Sequence, residues 1–188
     1  IYSVLLSILA IALYIFVRFR KWSYSAGALV ALTHDVLLVL SFFSLFNGIL
    51  PFSLDIDQAF IAAILTVIGY SINDTVIVFD RMRENFAARG THKLIKVFND
   101  SINQTLTRTL VTSFTTLIVV VILLVFGGEV LRGFSFALLV GILVGTYSSI
   151  YQAAPILIWL KVGPHSFVPG ESAGPKGERI SEGFGAQP

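Results

Sequence analysis

Hydrophobic residues make up 55% of the 188-residue chain and charged ones only 13%, whereas about a quarter of a soluble domain is charged, so an ordinary water-soluble fold is excluded. The net charge of +2 is too small to make a nucleic-acid surface, and no nucleic-acid partner is expected. The absence of cysteine removes disulfides, thiolate metal sites and cysteine nucleophiles.

Five apolar runs follow, at about Ile1–Val17, Tyr24–Phe46, Ile56–Phe79, Arg108–Phe126 and Gly133–Leu160. Each approaches or exceeds the roughly 20 residues that a membrane-crossing helix needs. None alternates as a barrel strand does, and backbone in lipid must satisfy its own hydrogen bonds, so each is expected to be a helix. The expectation is an all-α, polytopic bundle over residues 1–162. Residues 80–107 are read as a loop carrying a short interfacial helix, because Leu94, Ile95, Phe98 and Ile102 share one helical face. Residues 163–188, rich in Gly, Pro, Ser and charge, are expected to be a disordered tail.

Basic residues set the expected orientation. Arg18, Arg20 and Lys21 fill the first connection, and Arg81, Arg83, Arg89, Lys93 and Lys96 fill the third. Lys161, Lys176 and Arg179 follow the last run, while the second connection carries Asp55 and no Lys or Arg. These placements put the first and third connections and the C-terminus in the cytoplasm and residue 1 outside. An outward start implies a further span upstream. The bilayer is the first partner expected.

Polar residues inside the runs point to function. Asp74 lies within the third run, where an ionised carboxylate costs on the order of 3 kcal/mol by insertion scales. Thr66, Tyr70 and Asp74 are four apart and share a face, with Ser71 beside them and Asn73 adjacent in sequence. In the next run Gln104, Arg108, Thr112 and Thr115 make a comparable stripe. Antiparallel packing would set Asp74 against Arg108, the titrating member being Asp74. A fixed pair stapling two helices is the plainer alternative. His34 and Asp35, near the centre of the second run, are read evenly as a relay or as a bundle-holding hydrogen bond. Asp80, beside Arg81 and Arg83, is read as a solvated flank. Gly133, Ala137, Gly141, Gly145 and Ser149 recur every four residues and form a small ridge for close helix packing. Pro155 removes a backbone donor near the end of the fifth run and permits a bend. Neither a nucleophile–base arrangement nor a phosphate-cradling glycine loop is present, so no enzymatic activity is expected.

The stretch Gly69–Arg81 (GYSINDTVIVFDR), followed by Met82-Arg83-Glu84-Asn85, resembles the signature of the SecF family of the RND superfamily. Ser101–Ser113 (SINQTLTRTLVTS) and Leu131–Leu160 are similar to that family's two closing helices, while Ser41 stands where the family pattern has glycine. The resemblance implies the last five helices of a six-helix subunit of the bacterial inner membrane. It further implies pairing with SecD, work beside the SecYEG channel and YajC, and action on exported unfolded polypeptides through an external domain. No cofactor is implied, the coupling ion being the proton. Asp74 and Arg108 take the places of the family's acidic and basic relay residues, and His34 and Asp35 those of its His-Asp motif. A proton-coupled exporter of small molecules and a non-transporting scaffold remain as rival readings.

Overall fold

The computed structural model describes residues 2–20, 22–89 and 94–160. These residues build helices α1 (Tyr2–Phe19), α2 (Trp22–Phe46), α3 (Gln58–Arg89), α4 (Leu94–Phe126) and α5 (Gly128–Ser148). A π-helical turn, Ser149–Ala153, then leads directly into α6 (Ala154–Trp159). Four segments are long and apolar enough to cross a membrane: α2, α3, α4 and the continuous run Gly128–Trp159; α1 is a shorter apolar helix.

Two reversals between helices use a positive φ, uncommon at a residue with a Cβ and easy at glycine. Arg20 ends α1 with a φ of 52°, and Gly128 starts α5 with a φ of 76°. Asp57 closes the start of α3, its Oδ1 accepting the Phe60 amide at 2.8 Å. That bond satisfies one of the donors a helix start leaves open.

The core divides along the bundle. At the end carrying Arg18, Arg81 and Arg83 (the basic end), Ile15, Phe19, Tyr24, Phe79, Met82 and Leu157 pack together. Toward the opposite end Leu32, Val39, Phe43, Phe60, Val67 and Phe136 do the same. α3 lies centrally between the other elements, packed against α1, α2, α4 and α5. By contrast α4 turns Leu110, Val111, Phe114, Ile118, Val119 and Ile122 outward, each at least 46% exposed. In a membrane-length helix such a face is what lipid or another apolar partner covers.

Three expectations change. Among the described residues of 80–107 there is no separate interfacial helix: 80–89 continue α3 and 94–107 are the first turns of α4. Val97 and Phe98 are buried against Met82 and Phe86, with the Phe86 and Phe98 rings edge-to-face at 5.8 Å. Asn85 Nδ2 donates to Ser101 Oγ at 2.8 Å and Gln104 Oε1 at 3.1 Å. A neighbouring helix thus covers Phe98 and part of Ile102, two residues of the face expected to meet a headgroup layer, while Ile95 of that face stays exposed. Second, Asp80 is no simple flank, since Arg18 Nη2 donates to its Oδ2 at 2.6 Å across α1 and α3. Third, the fifth run is not one regular helix but is interrupted by the π-turn ahead of Pro155. The tail at 163–188 lies outside the described residues.

The Arg18–Asp80 pair is 42% and 35% exposed at its side chains, so solvent screens most of its attraction. Arg18→Ala is expected to cost no more than about 1 kcal/mol, read from denaturant unfolding in detergent. A larger loss would mean that the pair is dry in the assembled protein.

Candidate functional site

Besides the Asn85–Ser101–Gln104 contact, two polar clusters lie inside the bundle among the described residues, and α3 contributes to both. The first centres on Asp35 of α2, only 1% exposed. Its Oδ2 accepts Ser71 Oγ of α3 at 2.6 Å and Ser148 Oγ of α5 at 2.8 Å, while His34 Nδ1 lies 3.4 Å from its Oδ1. A buried carboxylate needs such donors to survive desolvation. His34 and Asp35, adjacent on one helix, therefore do come within reach, though only loosely.

The second cluster joins α3, α4 and α5. Tyr70 donates its hydroxyl to Ser113 Oγ at 3.3 Å, and Ser113 Oγ lies 2.6 Å from Thr146 Oγ1. This contact also sets the register between the antiparallel helices. One turn further along each, Asp74 of α3 comes level with Thr109 of α4. Asp74 is 3% and Thr109 1% exposed, and neither Asp74 Oδ2 nor Thr109 Oγ1 has a hydrogen-bond partner.

Arg108 is placed differently from the expectation. It is exposed, on the rim of a polar cleft of about 230 Å³ shared with Ile77, Asp80, Arg81, Glu84 and Gln104. Ile77, three residues on from Asp74 along α3, lines the same cleft. However, the ion pairs formed among the described residues do not include Asp74 with Arg108. The reason is the roll of α4. Its inward stripe is Ser101, Thr105, Thr109 and Ser113, all at most 6% exposed. The stripe Gln104, Arg108, Thr112 and Thr115 faces out.

Thr112 is accordingly exposed, and its hydroxyl bonds back to Arg108 O at 2.9 Å and Thr109 O at 3.0 Å, which removes it from the interior cluster. Asn73 is also exposed on α3. Thr112→Val is expected to change stability by less than about 0.5 kcal/mol, whereas Ser113→Ala should cost about 1 kcal/mol or more by leaving the Tyr70 hydroxyl without its partner. Equal losses in an unfolding titration would contradict this assignment of faces.

Along the small ridge, a Cβ on Gly141 would collide with the Val67 side chain of α3, and one on Gly145 would lie 3.1 Å from Ser71 Cβ. Gly133 passes Ser53 O, at 3.4 Å from the same kind of added atom, and Ala137 and Ser149 are fully buried. The ridge thus brings α5 onto α3 at the level of both polar clusters. Ser113, Thr109, Thr146 and Ser148 were not singled out from the sequence. For Ser148 a signal existed: a strict four-residue step drifts around a helix of 3.6 residues per turn, so three residues after Gly145 keeps the α3-facing side better than four.

Two buried carboxylates among packed membrane-length helices, Asp35 with hydroxyls converging on it and Asp74 with an oxygen left without a donor, define a polytopic membrane bundle built around ionisable groups. Residues 1–163 match the family described as protein export membrane protein SecD/SecF, C-terminal, and the chain belongs to that family. It is 61% identical over 161 residues to protein translocase subunit SecF of Rhodothermus marinus, a match covering 86% of this chain and 52% of the relative. With SecF of Cereibacter sphaeroides the identity is 51%, covering 81% and 45%. The chain spans about half the length of these relatives. Among solved structures, it superposes on SecDF in its super-membrane-facing form with a TM-score of 0.74 at 42% identity, covering 82% of this chain and 20% of that one. The corresponding values for SecDF, a translocon-associated membrane protein from Thermus thermophilus, are 0.71, 45%, 80% and 20%.

Proposed function

We propose that this chain is the membrane motor part of a SecF subunit of the Sec export machinery, paired with SecD, and that protons passing Asp74 drive it. The basic end faces the cytoplasm and residue 1 the outside, by the distribution of Lys and Arg. Proton entry neutralises Asp74, the pull of Arg108 on it disappears, and α3 and α4 change their packing. Release to the cytoplasm restores the charge. The cycle moves an external domain that draws exported polypeptides from the channel.

The observation that carries this reading is Asp74 itself, 3% exposed in a membrane helix with a carboxylate oxygen lacking any donor, and Arg108 on a cleft that Ile77, three residues further along α3, also lines. A group so placed is poised to change its protonation when its surroundings shift. One charge crossing the membrane field supplies about 2.3 kcal/mol per 100 mV, enough to bias a two-state helix arrangement. The decisive measurement is pH-dependent proton conduction by the complete SecD–SecF complex in vesicles. Conduction should be lost with Asp74→Asn; parental conduction in that variant would refute the reading.

A further inference from the structure

Asp35 has no place in the cycle just described, yet it is the best-satisfied buried carboxylate among the described residues. Three helices meet on it. Ser71 and Ser148, 1% and 0% exposed, both donate to the same oxygen, at 2.6 and 2.8 Å. Ser71 lies three residues before Asp74 on the same helix, so any shift of α3 that follows a change at Asp74 is carried to Ser71. Ser148 is the last residue of α5 before the π-turn at Ser149–Ala153. Such turns interrupt the regular hydrogen-bond ladder and are common at functional positions. Beyond the turn, α6 packs against α2, where an atom added at Gly27 would sit 3.3 Å from Leu157 Cδ2.

We propose that Asp35, Ser71 and Ser148 form a carboxylate clasp, the element through which a change at Asp74 reaches α5, the π-turn and α6. The clasp is closed while Asp35 is ionised and both hydroxyls point at Oδ2, each making a charge-assisted hydrogen bond. Displacement of α3 removes the Ser71 bond, leaves Asp35 under-satisfied and frees Ser148, so that α6 loosens its hold on α2. Ser71 and Ser148 act as positioning residues through Asp35.

The titratable neighbours are few. His34 stands at Oδ1 on α2, and α3 brings Tyr70 and Asp74. The tyrosines of α1 (Tyr2 and Tyr14) and those of α5 and the π-turn (Tyr147 and Tyr151) are 54% exposed or more. α6 contributes no ionisable side chain.

A mere bundle staple and a charge-dependent clasp differ in one respect. Asparagine keeps an oxygen that accepts both hydroxyls, so Asp35→Asn rescues a staple but not a group that must carry charge. The inference rests on the proton-driven reading above, and the experiment separates the two. The chain has no cysteine, so Gly27→Cys with Leu157→Cys places the only thiol pair in it where α2 meets α6. Disulfide formation is measured in membrane vesicles holding the complete SecD–SecF complex, with and without an imposed proton gradient. In the otherwise parental chain the gradient should change the cross-linking rate severalfold. With Asp35→Asn the response should disappear while complex assembly stays parental, and with Ser148→Ala cross-linking should be reduced under both conditions.

A parental gradient response in Asp35→Asn overturns the clasp, as does the absence of any response in the parental chain. Should Asp35→Asn fail to assemble, Ser148→Ala decides alone: a parental rate and response refutes the proposal. If instead Asp74→Asn keeps full proton conduction while Asp35→Asn still abolishes the gradient response, the clasp still links α3 to α6, but the change it transmits does not begin at Asp74 and the role given to Asp74 falls.

Discussion

Complete SecD–SecF complexes carrying Asp74→Asn are expected to assemble at parental levels and to lose gradient-stimulated export by at least about tenfold. The size follows from the energy at stake: about 2.3 kcal/mol per charge per 100 mV corresponds to roughly a fiftyfold bias between two states. The fold has little reason to suffer. Asp74 is 3% exposed and its Oδ2 has no donor, so a neutral amide of the same shape removes a desolvation cost without breaking a hydrogen bond made at that oxygen. Stability and function should therefore separate. The measurement is polypeptide translocation into inverted vesicles with and without a proton gradient, alongside an unfolding titration of the purified complex. A variant that loses export only because it unfolds would point to a structural role for Asp74; full retention of gradient-dependent export would remove it from the mechanism.

Gly141→Leu should have the opposite signature, collapse of the bundle itself. A Cβ at that position would lie 2.7 Å from Val67 Cγ1 and 3.0 Å from Val67 Cβ, and closer still to Cγ2. Val67 is 1% exposed and β-branched, with little rotamer freedom to yield. Overpacking of this kind typically costs about 1–3 kcal/mol, and a full leucine side chain driven between two packed helices belongs at or beyond the top of that range. The complex is expected not to accumulate. The milder Gly141→Ala should destabilise measurably, and adding Val67→Ala in the same chain should recover a good part of the loss, since the colliding methyls are then gone. Thermal unfolding of the four complexes in detergent checks this as a double-mutant cycle. Additive losses would show that the two positions are not in contact.

The two variants probe different properties of α3. Its Val67 and Ser71 side is where α5 approaches, and its Tyr70 and Asp74 positions look toward α4. A single helix thus carries both the Val67 side chain that packs onto the bare Gly141 and the ionisable Asp74. Motion provoked at Asp74 has a short path into α5.

Much of this architecture was legible in the chain. Long apolar runs without alternation permit only helices in lipid, and the clustering of arginine at residues 18–20 and 81–89 marks one end of the bundle. Asp74, Asp35 and the glycine ridge stood out because a charge within an apolar run, or a bare backbone at helical spacing, is costly without a purpose. The roll of α4 was not legible. Two polar stripes run along it, and the periodicity is satisfied equally by either; only the hydroxyls of Tyr70 and Thr146, brought in from other helices, select the stripe containing Ser113. The continuity of α3 and α4 beyond the apolar runs was likewise hidden, because Met82 and Phe86 of one helix and Val97 and Phe98 of the other are buried by packing between the two.

Taken alone, the sequence determined that this is a polytopic helical membrane protein with ionisable residues inside its apolar runs, since composition and local spacing depend on nothing beyond the chain order; the family showed there only as a resemblance of particular stretches. Which hydroxyls meet Asp35, why Arg108 stands at a rim rather than against Asp74, and where the fifth run breaks were decided by tertiary structure. Each depends on the rotation of one helix against another, and that angle is set by side chains far apart in the chain.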